Sequence, residues 1–236
     1  MRPGLRAVLG QSAPRLDLRD ILTRRRIVVV NLNRARLGAG ASRLLGSLLL
    51  AQLWHHLLSR QALVPERRHI ISVFIDEVHD FLAGLPGDLS DALAQSRSLG
   101  AAFHLAHQYR AQLSPQMIQA IETNARNKIY FNLSGTDAAA SARLAPGLEA
   151  ADFQLLGRYR AYAHLIHRGR PTDWFTIATE PAPPPLRDPA DLYAAWDATQ
   201  VGAGRHARWQ DELAAYAAAY PEEAAELERR MRGVLP

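Results

Sequence analysis

Two adjacent carboxylates, Asp76 and Glu77, close the apolar run His69-Ile70-Ile71-Ser72-Val73-Phe74-Ile75. A buried strand that ends in a pair of acids holds both rigidly at its tip. There the first acid can position a Mg²⁺ ion, often through water, and the second can orient or polarise an attacking water. The same pattern also serves a plainer purpose, an acid capping the helix that follows a strand. Gln108 stands at the tip of the next apolar segment, after Phe103-His104-Leu105-Ala106-His107. Its amide both donates and accepts, which suits contact with a phosphate. Other constellations carry less. The pairs His104/His107 and His164/His167 fall on expected strands, where residues three apart face opposite sides, so no shared metal is expected. His55 and His56 are adjacent on a helix and diverge. The sequence contains no Gly-x-Ser-x-Gly elbow, which argues against a serine hydrolase.

The composition narrows the chemistry further. The 236 residues are 48% hydrophobic and 22% charged, ordinary for a chain with a real core. There is no cysteine, which removes disulfides, thiolate zinc sites, iron–sulfur clusters and cysteine nucleophiles together and suits a reducing compartment. The formal charge of +5 is carried almost wholly by arginine, and Lys128 is the only lysine. A basic balance permits contact with nucleic acid without demanding it. A phosphate loop of the form G-x-x-x-x-G-K-[ST] needs a lysine preceded by glycines. Lys128 sits in Asn127-Lys128-Ile129-Tyr130, so the sequence holds no such loop. The longest apolar candidate, Leu44 to Trp54, is short of the ~20 residues that span a bilayer and is broken by Gly46, Ser47 and Gln52. The N-terminus lacks the apolar core of a secretory signal.

Positioning the acids requires a regular scaffold. Ile27-Val28-Val29-Val30 reads as a first buried strand and Ser42 to Arg60 as a helix with a leucine stripe facing the core. Ile70 to Ile75 is a second strand, Leu89 to Leu99 a helix closed by Gly100, and Ala101 to Ala106 a third strand. Ser114 caps a helix that starts at Pro115. Ile129 to Leu133 reads as a fourth strand, followed by a helix from Asp137 to Leu144. Short strands alternating with helices predict an α/β fold with a parallel sheet flanked by helices. Ligands of such sheets gather at the carboxyl ends of the strands, where this sequence repeatedly places polar residues, Asn31 and Asn33 included. Beyond Gly157, Tyr159–His167 and Trp174–Thr179 read as strand–turn–strand.

These pieces, in this order, resemble the C-terminal half of the conjugative coupling ATPases of type IV secretion, in the HerA/FtsK branch of RecA-like motors. The matching segments are Ile27-Val28-Val29-Val30-Asn31-Leu32-Asn33, Arg43-Leu44-Leu45-Gly46-Ser47-Leu48-Leu49, Phe74-Ile75-Asp76-Glu77, Leu93-Ala94-Gln95-Ser96-Arg97, Leu105-Ala106-His107-Gln108 and Asn124-Ala125-Arg126-Asn127-Lys128-Ile129. The resemblance runs from about residue 5 to 179. It implies a partial RecA-like core in which Asp76 and Glu77 are the Walker B pair, Asp76 serving Mg²⁺ and Glu77 the water. It implies γ-phosphate sensing by Gln108, nucleotide contacts at Asn31 and Asn33, and ATP and Mg²⁺ as cofactors. Arg97 matches the arginine finger donated to a neighbouring subunit, with Arg126 as the alternative. The implied partners are DNA, further copies in a ring, and type IV secretion components or a relaxase. The implied place is the cytoplasm, at the inner face of the membrane through partners. The resemblance begins in mid-domain: the phosphate loop of the family would precede residue 1. The chain therefore reads as a truncated gene, a split protein or a remnant, inactive as an ATPase without a missing N-terminal half. A non-catalytic DNA-binding or assembly remnant is the alternative reading.

The expected organisation is a basic lead-in over 1–26, the partial motor domain over 27–180, a proline-rich linker over 181–189 and a helical tail over 190–236. Residues from about 205 to 236 resemble the inter-domain helical segment of transketolases. They contain no residue of that family's thiamine diphosphate site and imply no transketolase activity.

Overall fold

The computed structural model describes residues 16–32, 34–81 and 89–186, with a few positions beyond. Asp17–Ala182 forms one compact unit. The described residues past Pro183 belong to a second unit, in which 214–215, 217–219 and 221–222 are helical and exposed. The remainder of the expected helical tail lies outside the described residues.

The first unit is built around two parallel strands. β1 (Ile71–Ile75) pairs with β2 (Ala101–Leu105) in the register Ile71↔Ala101 through Ile75↔Leu105. They are connected through α4 (Leu89–Ser96) and flanked by α3 (Ala39–Ser59) and α5 (Pro115–Asn124). α3 buries Ser42, Gly46, Leu50, Trp54 and Leu57, one stripe at helical spacing. Leu50, Trp54 and Leu57 form the core with Val78, Ala92, Leu99 and Ala120, and Ile71, Ile75, Phe103 and Leu105 pack against it. All three helices thus bury the same face of the strand pair. On the other face Phe74 is 76% exposed and stacks on His104, its cross-strand partner, with ring centroids 4.2 Å apart. Parallel strands are ordinarily covered on both faces. Among the described residues only one face is covered.

Arg60 fixes the entrance to the pair. Its guanidinium is buried and donates to the carbonyls of His69 (2.5 Å) and Gly100 (3.4 Å), the residues just before β1 and β2. Burial, and then the nearby charge of Arg68, lower its pKa from the ordinary arginine value.

A second sheet is antiparallel. β3 (Lys128–Tyr130) pairs with β4 (Arg160–His164), which pairs with β7 (Phe175–Ala178). β5 (Ile166–His167) and β6 (Arg170–Pro171) form a small ribbon at the turn. The strand–turn–strand expected after Gly157 is therefore present as β4 and β7. Phe153, on α7 (Ala150–Gln154), is fully buried with Ala138 and Ala145. Tyr130, Tyr162 and Trp174 ring it with edge contacts, and α6 (Gly135–Ala142) closes the layer.

Two expected strands are corrected. Ile27–Val30 forms no strand: Ile27 is 95% and Val29 is 88% exposed, and no described segment pairs with their backbone. An apolar β-branched run becomes a strand only where a partner edge meets it. The 129–133 run also stays out of the parallel sheet. Only Ile129 and Tyr130 of the run are in a strand, β3, which runs antiparallel to β4, because β4 presents its edge to β3. The lead-in is not featureless either. α1 (Leu18–Thr23) is capped by Asp17, whose carboxylate accepts from the Asp20 N–H at 3.1 Å, and α2 (Arg34–Leu37) follows the extended stretch.

Candidate active site at the carboxyl edge of the parallel strands

β1 delivers Asp76 and Glu77 at its carboxyl end. The ladder continues past the strands: the Ala106 N–H donates to Ile75 O and the Val78 N–H to Ala106 O, each at 3.0 Å. This register brings the loop after β2 beside the acids. Gln108 Nε2 donates to Glu77 Oε1 in a short hydrogen bond. Gln112 shapes that loop, its Oε1 accepting from the backbone N–H of Gln108 (3.0 Å) and of Tyr109 (3.1 Å). Glu77 itself has φ 50° and ψ 49°, a left-handed conformation that costs a residue with a Cβ about 1–2 kcal/mol. Such strain concentrates where a side chain must be aimed.

Asp76 is exposed, and its Oδ1 accepts from the Glu77 N–H at 3.0 Å. Among the described residues no group of three His, Asp or Glu side chains is placed to hold a metal. Mg²⁺ keeps most of its waters and needs only one or two carboxylates when phosphates supply the rest. Asp76 fits that limited part.

Around Glu77 lies a set of residues for which the sequence held no signal beyond adjacency. The reversal at Glu77 leads into a tight turn, Val78–Asp80, that returns His79 over the carboxylate. His79 Nδ1 lies 3.5 Å from Glu77 Oε2, and its Nε2 lies 3.8 Å from Asp80 Oδ1. The Asp80 carboxylate is 5% exposed and is clamped by Arg43 on Oδ1 and Arg34 on Oδ2, each at 3.0 Å. Leu32 and the Phe81 ring both pack over Gly46, where a Cβ would collide with them. That contact brings the Asn31–Leu32 stretch to the same end of β1. Asn33 lies outside the described residues.

His107, between β2 and Gln108, has a buried Nδ1 without a partner, and burial lowers its pKa from 6.5. Arg110 leaves the same loop for Glu122 at 2.5 Å, and its N–H donates to Asp137 Oδ2 at 3.0 Å, tying the edge to α5 and α6. The single lysine serves structure. Lys128 Nζ donates to the carbonyls of Ala125 (2.9 Å) and Glu122 (3.3 Å) at the end of α5, where a cation meets the helix dipole. Burial lowers its pKa.

The two candidate arginine fingers stand apart from this edge. Arg97 follows α4 at the amino end of the strands, beside a shallow depression lined by Pro65, Arg68, Ile70 and Ser98. The length of β1, about 3.3 Å per residue, separates it from Glu77. Arg126 is exposed in the connection from α5 to β3. Neither reaches Glu77 of its own chain.

Comparison with known proteins divides the chain. Residues 178–236 match the transketolase family, thiamine diphosphate binding domain. The transketolase resemblance expected over residues 205–236 is thus supported, and it begins earlier, at residue 178. This tail is 60% identical over 52 residues to transketolase 1 of Vibrio cholerae and 48% identical over 52 residues to transketolase 1 of Escherichia coli (strain K12). Each alignment covers 22% of this chain and 8% of the relative, so the chain spans a small part of the length of the curated relatives it matches. Among solved structures, the plasmid coupling protein TrwB, in complex with a non-hydrolysable GTP analogue and in complex with ADP and Mg²⁺, superposes with a TM-score of 0.52. The sequence identity is 20%, and the match covers 64% of this chain and 40% of that one. The α/β fold with parallel strands flanked by helices is thus shared with TrwB over part of its length.

Proposed function

We propose that residues 17–182 are the Walker B half of a nucleotide-driven motor that moves DNA in conjugative transfer. The observation that carries this reading is the pair Glu77–Gln108: a carboxylate held in a strained backbone at the end of one parallel strand, hydrogen-bonded by an amide from the end of the next. In this reading Glu77 orients the attacking water and Gln108 reports the terminal phosphate to it. Asp76 supplies one carboxylate to Mg²⁺, which would neutralise charge on the phosphates. Asn31 contacts the nucleotide from the stretch before α2, and the same role is proposed for Asn33 from its place in the sequence. Arg97 serves the site of a neighbouring copy in a ring, with Arg126 as the second candidate, which accords with its distance from its own Glu77.

Hydrolysis needs a phosphate-cradling loop, and these 236 residues contain none. Among the described residues nothing covers the face at Phe74 and nothing pairs with Ile27–Val30, which supports a second polypeptide segment completing the sheet. The transketolase-like residues 178–236 start where β7 ends, which supports a join between two unrelated pieces. We assign no transketolase activity to so short a part. The test is to mix the chain with the phosphate-loop half of a conjugative coupling ATPase and measure binding of a fluorescent ATP analogue with Mg²⁺. Binding by the mixture and by neither part alone supports the reading. Binding by this chain alone, or no complex at all, refutes it.

A further inference from the structure

We propose that His79 is the positioning residue of the Glu77 carboxylate, anchored from behind by Asp80 and the Arg34–Arg43 clamp. The inference deepens the reading of Glu77 as the water-orienting group, but the geometry stands without it. Glu77 Oε1 is occupied by Gln108. Glu77 Oε2 is buried and has no hydrogen-bond partner, and the same is true of His79 Nδ1. The two atoms face each other at 3.5 Å. Buried polar atoms rarely stay unpaired, and here each is the nearest remedy for the other. A small rotation of the carboxylate closes the gap to hydrogen-bond length, with Nδ1–H as donor and Oε2 as acceptor.

The imidazole is in turn set from its other side. Nε2 faces Asp80 Oδ1 at 3.8 Å, and Asp80 cannot rotate, because Arg43 holds one oxygen and Arg34 the other. In the doubly protonated imidazole both nitrogens donate, Nδ1–H toward Glu77 and Nε2–H toward the fixed Asp80 oxygen, so the carboxylate behind sets the ring that holds the one in front. The left-handed backbone at Glu77 is what makes it possible, since it turns the chain back so that residue 79 covers residue 77. With His79 on Oε2 and Gln108 on Oε1, both carboxylate oxygens are fixed and the rotamer is locked. His79 touches no reacting atom in this scheme; it acts through Glu77.

The test reads geometry rather than turnover. In the full chain the side-chain amide of Gln108 is assigned by NMR through its loss in Gln108→Ala. Glu77→Gln, which replaces the charged acceptor, should displace those amide resonances and sets the scale. His79→Ala should move them most of the way along that displacement, because the freed carboxylate rotates off Gln108. His79→Asn places an amide donor where Nδ1 stood and should return them close to their wild-type positions. Rescue by Asn but not by Ala distinguishes positioning from packing. The proposal is overturned if His79→Ala leaves the Gln108 resonances in place, if Asn and Ala shift them alike, or if Glu77→Gln does not move them. Should His79→Ala not fold, His79→Asn decides: wild-type positions support the proposal and displaced ones overturn it. No nucleotide is used, so failure here leaves the motor reading standing, and failure of that reading leaves this contact intact.

Discussion

The strain at Glu77 makes a prediction whose sign is unusual. At most positions replacing alanine by glycine destabilises a protein by about 0.4–1 kcal/mol, because glycine has more freedom to lose on folding. At φ 50°, ψ 49° a Cβ instead costs about 1–2 kcal/mol, and glycine escapes that cost. Comparing Glu77→Gly with Glu77→Ala cancels the loss of the side chain, since both variants give up the contacts to Gln108 and His79. The balance leaves the glycine variant more stable by about 0.5–1 kcal/mol. Urea unfolding followed by tryptophan fluorescence measures the difference. Ser72, outward-facing and extended in the middle of β1, is the control; there alanine should be the more stable replacement. An alanine variant at 77 as stable as the glycine variant, or more so, would refute the left-handed backbone and with it the account of how the acid is aimed.

Other outcomes follow from the same structure. Gly46→Ala puts a methyl into the Phe81 ring and Leu32, so it should destabilise by about 1–3 kcal/mol, read by the same unfolding assay. His107 is half-buried, and that burial holds its folded pKa below 6.5. The unfolded chain therefore binds more protons as pH falls through about 6.5, so stability should be full above that pH and decline below it; His107→Phe should flatten the decline. DNA contact by the exposed arginines near the β5–β6 ribbon, Arg168 and Arg170, should be weak, indifferent to base sequence and steeply lost with salt in fluorescence anisotropy. Arg24 and Arg26 should add little, since both are paired with Asp20. Tight binding that survives physiological salt would contradict this.

The parts of the fold legible in the sequence were those set by local chemistry. The apolar run into Asp76-Glu77 is β1, and Ser114 caps α5 by accepting from the Met117 N–H, with Pro115 in the first turn. The stripe of α3 is buried as its spacing demands. Strand partners were not legible. Ile27–Val30 and Ile129–Leu133 look alike as apolar runs, yet among the described residues the first has no partner strand and the second enters an antiparallel pair through Ile129 and Tyr130. Pairing depends on an edge supplied from far along the chain, which no local pattern encodes. α1 did carry a signal, Asp17 three residues before Asp20, lost among the arginines around it. At the site, Asp76, Glu77 and Gln108 could be found because a strand tip must carry them. His79, Asp80, Arg34 and Arg43 could not, because the left-handed turn that folds them over Glu77 occurs at a glutamate, where a glycine would have announced it.

The most direct test of the central claim is phosphate release from Mg·ATP by the chain joined with a phosphate-loop half of a coupling ATPase. The account predicts none from the chain alone, measurable release from the complemented assembly, and a fall of about 10²–10⁴-fold on Glu77→Gln. Release by the chain alone, or release by the assembly that Glu77→Gln leaves unchanged, would contradict it.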